Sequence, residues 1–268
     1  MAKKDLIPVF GDIHGNVEGL VNTMEYIQKE FGLFPDTVLQ VGDIGYFQNI
    51  PETEKIKSDQ ELSLHRYLTD VHYANKLLDR TSFNYKIAFV RGNHEDQKSL
   101  KDFTKNNPRG GFVDDQNRFW FVPDGRTVCI DYENDVTLAG LGGIDLGSRP
   151  KAYQRNPLIA FSEEDIEKFE GMNGIDILMS HQGPTNTVKG SNMINIALDF
   201  LKPKIHLHGH SHRDYSQTLS NGVRSYGIGK MPQNKRPFLE SNNFYGFLDT
   251  SSLEFSYGTP LPLFDAIV

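Results

Sequence analysis

The stretch Leu6-Ile7-Pro8-Val9-Phe10-Gly11-Asp12-Ile13-His14-Gly15 joins an apolar run to a loop that carries two metal-ligand side chains. The run has the length of a short buried strand, and Gly11 ends it. Beyond it, Gly19 to Phe31 places Leu20, Met24 and Ile27 at helical spacing, which predicts strand, loop and helix in succession. The pattern then recurs. Thr37-Val38-Leu39-Gln40-Val41 leads into Gly42-Asp43, and Lys86-Ile87-Ala88-Phe89-Val90 leads into Arg91-Gly92-Asn93-His94-Glu95. Three apolar runs that each end at glycine and a ligand residue predict an α/β fold. Its parallel strands would share one carboxyl edge, where distant segments converge.

The second half is richer in strand signals. Arg118–Val122, Thr127–Asp131 and Val136–Leu141 are short candidates separated by turns at Pro123-Asp124-Gly125 and Glu133-Asn134. Ser162 opens a helix with a capping-box pattern to Asp165. Ile175–Met179 delivers Ser180-His181, and Lys204–Leu207 delivers His208-Gly209-His210-Ser211-His212. Late strands are expected at Val223–Tyr226, Tyr245–Asp249 and Leu253–Tyr257, with a terminal loop at Gly258–Pro262. Between the second and third motifs, Glu61–Arg80 puts Leu64, Leu68, Val71 and Leu78 on one helical face. We therefore expect a single domain over residues 1–268 with a helical insertion around 46–85, either a lid over the motifs or plain packing.

The polar residues at these strand ends form one chemical set. Asp12 and His14, two apart in an extended segment, point the same way and suit a single ion; His210 and His212 repeat that spacing. Asp43, at a strand end with both carboxylate oxygens free, suits a bridge between two ions. Asn93 adds an amide oxygen and His181 another nitrogen. Oxygen and imidazole ligands without thiolate suit Mn, Fe or Zn better than Ca or Mg. Two such ions roughly 3.5–4 Å apart clamp a phosphoryl group and activate water. His94, beside Asn93, is then placed to protonate the leaving oxygen or to stabilise charge.

These motifs, D-x-H, G-D, G-N-H-E, a lone H and G-H-x-H in that order, resemble those of the calcineurin-like metallophosphoesterase superfamily. The resemblance runs from Asp12 to His212, about three-quarters of the chain. It implies a four-layer fold, a two-sheet β-sandwich flanked by helices, with the metal site at strand carboxyl ends. It also implies that Asp12, His14 and His212 bind one divalent ion and Asn93, His181 and His210 a second. Asp43 would bridge the two, with His94 facing the scissile phosphate. The implied reaction is hydrolysis of a phosphomonoester or phosphodiester by a hydroxide shared between the ions.

Two departures narrow the resemblance. The phosphoprotein phosphatase and dinucleoside-tetraphosphatase branch continues its second motif as G-D-x-x-D-R-G. Here Tyr46 stands where that Asp orients the catalytic His, and Phe47 where the Arg binds phosphate. Val136–Gly143 and Asp176–Pro184 look more like lariat-debranching and related phosphodiesterases, but those enzymes usually carry Cys at the first metal position, which is Asp12 here.

A net charge of −7 over 268 residues argues against long nucleic acids as partners and favours a small phosphorylated or nucleotide substrate. The rival readings are a nuclease or debranching-type phosphodiesterase and a non-catalytic binding scaffold. The scaffold should have lost ligands, and all are present here. No secretory signal and no apolar run of membrane-spanning length is visible, so a cytoplasmic protein is expected. Nothing in the sequence sets an oligomeric state. Arg149 and Arg213 are candidate phosphate contacts. Glu95 is expected to orient its loop, His65 and His72 to decorate the insertion, His206 to pack, and His208 to lie behind the ligands. The single Cys129, in an apolar run, excludes an internal disulfide and is expected to be a buried small hydrophobe.

Overall fold

The computed structural model of the protein describes residues 5–50, 59–80, 83–147, 156–232 and 243–258. Strands that are apolar at every position must be covered on both faces, and both sheets are. In the first, β1 (Leu6–Phe10), β2 (Thr37–Gln40) and β3 (Lys86–Phe89) run parallel, with Val9 opposite Leu39 and Leu39 opposite Ala88. They are joined by β4 (Gly111–Phe112), β5 (Phe119–Phe121), β12 (Tyr245–Asp249) and β13 (Glu254–Tyr257). The seven strands are ordered β13-β12-β1-β2-β3-β5-β4. The second sheet comprises β6 (Arg126–Asp131), β7 (Val136–Leu141), β8 (Ile177–Ser180), β9 (Ile205–His208), β10 (Tyr215–Thr218) and β11 (Arg224–Gly227), ordered β10-β11-β9-β8-β7-β6.

The two-residue alternation of strand side chains divides the core in three. Val9, Leu39, Ala88, Leu138, Ile177, Met179 and Leu207 pack between the sheets. Phe10, Val38, Ile87 and Phe89 face the other way, against α1 (Val17–Phe31), α2 (Ser63–Thr69), α3 (Val71–Leu78) and α4 (Gln97–Asn106). Ala139, Leu141 and Leu178 face α5 (Glu163–Glu167) and α6 (Asn192–Leu201). The result is the expected order of helices, sheet, sheet, helices. Among the described residues no helix is long and apolar enough to cross a membrane.

Several local expectations need correction. Residues 61–80 do not share one helical face. A 3₁₀ turn at Asp59–Leu62 precedes α2, and the chain breaks at Asp70, which is extended (φ −121°, ψ 105°) and caps α3 by accepting the N–H groups of His72 and Tyr73. Val71 is consequently 63% exposed, while Leu64, Tyr67, Ala74 and Leu77 enter the core beside α1. Asp70→Ala should lose about 1 kcal/mol, read as a lower urea midpoint at unchanged slope. Cys129 is half-buried rather than buried, because β6 is the edge strand of its sheet. Helices α4 and α6 and strand β10 fall outside the sequence expectations, although Asp96 and Ser191 cap the two helices through their side chains. The Ser162–Asp165 capping box forms as expected. Of the expected terminal loop, residues 259–262 lie outside the described residues, as do 51–58 and 81–82 of the insertion.

Candidate metal centre

All five motifs follow strand carboxyl ends where the two sheets meet: Asp12 after β1, Asp43 after β2, Asn93 and His94 after β3, His181 after β8, and His210 and His212 after β9. The backbone there is not extended, as the two-residue spacings suggested. His14, Asp43, His210 and His212 all lie in the left-handed region, at φ 46°, 51°, 62° and 60°. Each such turn costs a non-glycine residue about 1–3 kcal/mol, so packing must hold these four against their own preference. Gly92 permits part of that packing. A Cβ on it would stand 2.1 Å from Asp43 Oδ1 and 2.2 Å from the Asp43 nitrogen.

Asp12 and Asp43 are fully buried carboxylates that see imidazoles. Asp12 Oδ1 accepts the His210 N–H at 3.1 Å, and its Oδ2 lies 3.1 Å from His212 Nε2. Asp43 Oδ1 accepts the His94 N–H at 2.7 Å and lies 3.4 Å from His181 Nε2; Oδ2 lies 3.7 Å from His14 Nε2. Ligand atoms of Asp12, His14, Asp43 and His212 all fall within 4.8 Å of one another. On the other side of Asp43, Asn93 Oδ1 is 3.3 Å from His181 Nε2, and the rings of His181 and His210 stand 5.1 Å apart. The His94 ring is 5.1 Å from that of His14.

Burial by itself would raise both carboxyls. His212, His181 and His14 outweigh it at Asp12, and His181, His14 and His94 do so at Asp43, holding both below the usual carboxylate range. Burial takes His14 down to about 4 and His210 to about 3, so both are neutral imidazoles with a lone pair to give. His181 goes the other way. Burial pushes it down, but Asp43 above all, then Asp12, lifts it to about 9. Its Nδ1 donates to the Val41 carbonyl at 3.0 Å, which leaves Nε2 facing the oxygens of Asp43 and Asn93. That point between two acceptors demands a proton or a cation.

The donor set fits divalent metal. Asp43 Oδ2 and His14 Nε2 are buried without hydrogen-bond partners, although buried polar atoms are almost always paired, and Asp12 Oδ2 meets only His212 Nε2, at 3.1 Å. The three face one another, two carboxylate oxygens and one imidazole nitrogen, as ligands converging on an ion do.

The surrounding residues hold the ligand loops. The Glu95 carboxylate accepts the N–H groups of Ile44, Gly45, Tyr46 and Gly92, tying the Asp43 loop to the Asn93 loop. Burial and then Asp43 push this acid up to about 8. Gln40 does the same between strands, donating to the Gly11 and Gly42 carbonyls and accepting the Gly42 N–H. A lone amide in an apolar strand run was its only sequence signal. Arg91 spends its guanidinium on Asp124, Gln97 and the Leu158 and Ala160 carbonyls.

Other candidates are placed elsewhere or differently. His206 bridges Ser180 and Ser225 at 2.7 and 2.9 Å. Ser180 donates its one hydroxyl proton to the Gln182 carbonyl, so His206 Nε2 must donate to Ser180. His208 is buried behind the ligands with Nε2 unpartnered. His65 donates to the Phe47 carbonyl and His72 is exposed. Arg213 is exposed one residue past His212, and Arg149 lies outside the described residues. Two lysines near the site carried no motif. Lys189 Nζ donates to the His210 carbonyl at 3.3 Å, and the charge of Lys230 is felt at His14.

Comparison with known proteins agrees with this geometry. The sequence profile of the calcineurin-like phosphoesterases matches residues 7–214, and the chain belongs to that family. Lariat debranching enzymes of Caenorhabditis elegans and Caenorhabditis briggsae are 27% identical over 208 residues and 28% identical over 204. Each alignment covers 73% of this chain but 36% of the relative, so the chain spans about a third of the length of those proteins. The crystal structure of TT1561 from Thermus thermophilus has the same fold. Its TM-score is 0.51 at 12% identity, and the match covers 96% of this chain and all of that one.

Proposed function

We propose that the chain is a two-metal phosphoesterase that hydrolyses small phosphorylated or nucleotide substrates. The observation that carries this reading is the cluster of buried ligand atoms on Asp12, His14 and Asp43, those of His14 and Asp43 without hydrogen-bond partners, at the carboxyl edge of two sheets. Asp12, His14 and His212 would hold one divalent ion and Asn93, His181 and His210 the other, with Asp43 shared; Mn²⁺ is favoured, and Fe or Zn suits the same donors. Such a pair supplies Lewis-acid charge at the phosphoryl group and activates water at neutral pH. The remaining work falls to the chain. Neutral His14 and His210 donate lone pairs, Glu95 keeps the two central loops in register, and Asp43 fixes the His94 backbone through its 2.7 Å bond. The His94 imidazole, half-buried at the edge of the cluster, donates a proton or a hydrogen bond to the leaving oxygen.

A phosphodiesterase acting on nucleic acid is the second reading, favoured by the two debranching relatives. The net charge of −7 weighs against it. The test compares p-nitrophenyl phosphate with its bis-ester, with Mn²⁺ and after chelation. We expect metal-dependent hydrolysis that EDTA abolishes and Mn²⁺ restores. Turnover of neither ester by protein with two bound equivalents of metal would overturn the catalytic reading. A preference for the bis-ester would move the substrate class to diesters.

A further inference from the structure

We propose that Ser63 is the positioning residue for His14, and that the helical insertion acts through it as a clamp that sets how tightly the His14 half of the cluster holds its ion. The inference rests on the two-metal reading and adds a residue that the ligand motifs leave out.

His14 and Gly15 are both left-handed, at φ 46° and 81°, so the first ligand loop turns twice in succession and once at a residue that resists it. Part of the hold comes from the second ligand loop. The His14 N–H donates to the Asp43 carbonyl at 2.8 Å, and the Gly15 N–H donates to the Ile44 carbonyl at 2.7 Å. Those bonds fix the amide side of the turn. The carbonyl side belongs to the insertion. The Gly15 carbonyl accepts the Leu64 N–H and the Ser63 hydroxyl, each at 2.8 Å, beside the Val17 N–H of its own helix at 2.9 Å. The Glu61 carbonyl oxygen comes so close that a Cβ on Gly15 would stand 2.1 Å from it.

The Ser63 hydroxyl has a second partner. The first N–H groups of α1 find no acceptor inside the helix. Asn16 Oδ1 accepts that of Gly19 at 2.9 Å, and Ser63 Oγ accepts that of Glu18 at 3.3 Å. The helix that follows the His14 loop is therefore capped by one local residue and by one from the insertion. Ser63 gives its proton to Gly15 and takes the Glu18 N–H, which joins the exit of the loop to the start of α1. At 1% exposed, the hydroxyl has no solvent to replace it.

The rest of α2 anchors this grip. Leu64 and Tyr67 are buried in the core shared with α1. His65 donates to the Phe47 carbonyl at 3.0 Å, so the same short helix also holds the segment that follows Asp43. It thus grips the loops of two residues whose ligand atoms, His14 Nε2 and Asp43 Oδ2, stand 3.7 Å apart. Where residues 61–65 meet these loops, the insertion is neither a lid nor plain apolar packing. Ser63→Ala would leave every ligand in place and loosen only the turn that aims His14. Groups behind a metal ligand typically control affinity about 10–100-fold. Ser63 acts through the backbone, which puts it at the lower end.

The test is calorimetric titration of Mn²⁺ into wild type, Ser63→Ala, His14→Ala and the double variant. Asp70→Ala is the control, since it loosens α3 of the same insertion without touching Gly15. Ser63→Ala should weaken one of two Mn²⁺ equivalents about tenfold and leave the other within about twofold. His14→Ala should lose one equivalent, and adding Ser63→Ala should leave the remaining one within about twofold. Asp70→Ala should keep both affinities despite a comparable drop in urea midpoint. In metal-free protein the His14 and Gly15 amides should exchange hydrogen about tenfold faster in Ser63→Ala, and at the wild-type rate in Asp70→Ala. Equal weakening of both ions, an equal loss in Asp70→Ala, or a further loss in the His14→Ala background would overturn the inference. So would wild-type affinities in Ser63→Ala. If wild type binds two Mn²⁺ but cleaves neither ester, the catalytic reading fails, and Ser63 is still judged by the binding ratio. If wild type binds no Mn²⁺, the metal reading fails and the inference with it, whatever the exchange rates show of the loop.

Discussion

Asp43→Asn lowers metal-dependent hydrolysis on the order of 10²–10⁴-fold and removes most of the stabilisation that metal confers, while the chain still folds. The substitution keeps the shape and one carbonyl oxygen, so the 2.7 Å bond from the His94 N–H survives. What it removes is the one charge shared by both halves of the cluster, facing His181 at 3.4 Å and His14 at 3.7 Å. Removing one partner of a buried, hydrogen-bonded charge pair costs about 3–5 kcal/mol, and at 1.36 kcal/mol per decade kcat/KM should fall on the order of 10²–10⁴-fold. Mn²⁺ at one hundred times its Kd should stabilise wild type by about 2.7 kcal/mol and leave Asp43→Asn nearly unmoved. Wild-type turnover by this variant would exclude Asp43 as the shared ligand.

The same residue sets the pH behaviour. In metal-free protein Asp43 and Asp12 lift His181 to about 9 against the effect of burial, so a proton occupies Nε2 at neutral pH. A raised histidine stabilises the fold fully below its unfolded value of 6.5, and that contribution is lost as pH rises through about 9. If His181 holds metal as proposed, the metal must displace this proton. Apparent affinity should therefore climb about tenfold per pH unit and level off near pH 9. In Asp43→Asn the climb should end at lower pH, since His181 loses its main anionic neighbour. Titration of Mn²⁺ binding across pH in both proteins reads the difference.

The candidate metal-ligand motifs were legible because each combines a two-sided strand with a polar end. The run Leu6–Phe10 is buried from Ile7 onward, and the first residues after Gly11 must emerge at its carboxyl edge. The four-layer order follows from the same alternation, Val9 to one core and Phe10 to the next. Sequence spacing did not reveal the backbone at the ligands, because the left-handed turns at His14, Asp43, His210 and His212 are imposed by packing between segments. Lys189 and Lys230 were invisible for a related reason. Neither position follows a strand end or a spacing: the Lys189 backbone is held by Gln182, itself bonded to the distant Asp145, and the residues beside Lys230 pack on Gly11 and Asp12. Val71 misled because helical periodicity ignores a cap, and the Asp70 side chain offsets the break with two backbone hydrogen bonds.

Tyr46→Asp, which restores the acid of the phosphoprotein phosphatase pattern, unfolds the protein before it can confer that chemistry. Tyr46 is 3% exposed and packs 6.4 Å from Phe89. Its hydroxyl donates to the Val113 carbonyl at 3.1 Å and accepts from Gln48 at 2.9 Å. Burial, with Asp96 and Asp114 nearby, pushes that hydroxyl up to about 12, so the site already disfavours negative charge. Truncating a buried aromatic costs about 3–5 kcal/mol, and an unpaired buried carboxylate adds to it. Adding Phe47→Arg should not rescue the fold, because Phe47 is 6% exposed and its carbonyl already serves His65 at 3.0 Å. Tyr46→Phe isolates the hydroxyl and should cost about 1 kcal/mol with turnover retained. Urea denaturation of the three variants, read beside p-nitrophenyl phosphate turnover, separates the outcomes. A double variant that folds within about 1 kcal/mol of wild type and gains monoesterase activity would mean the site tolerates the missing pair. Retained folding only in Tyr46→Phe means the aromatic at this position is core, and that the charge binding substrate phosphate must come from elsewhere around the cluster.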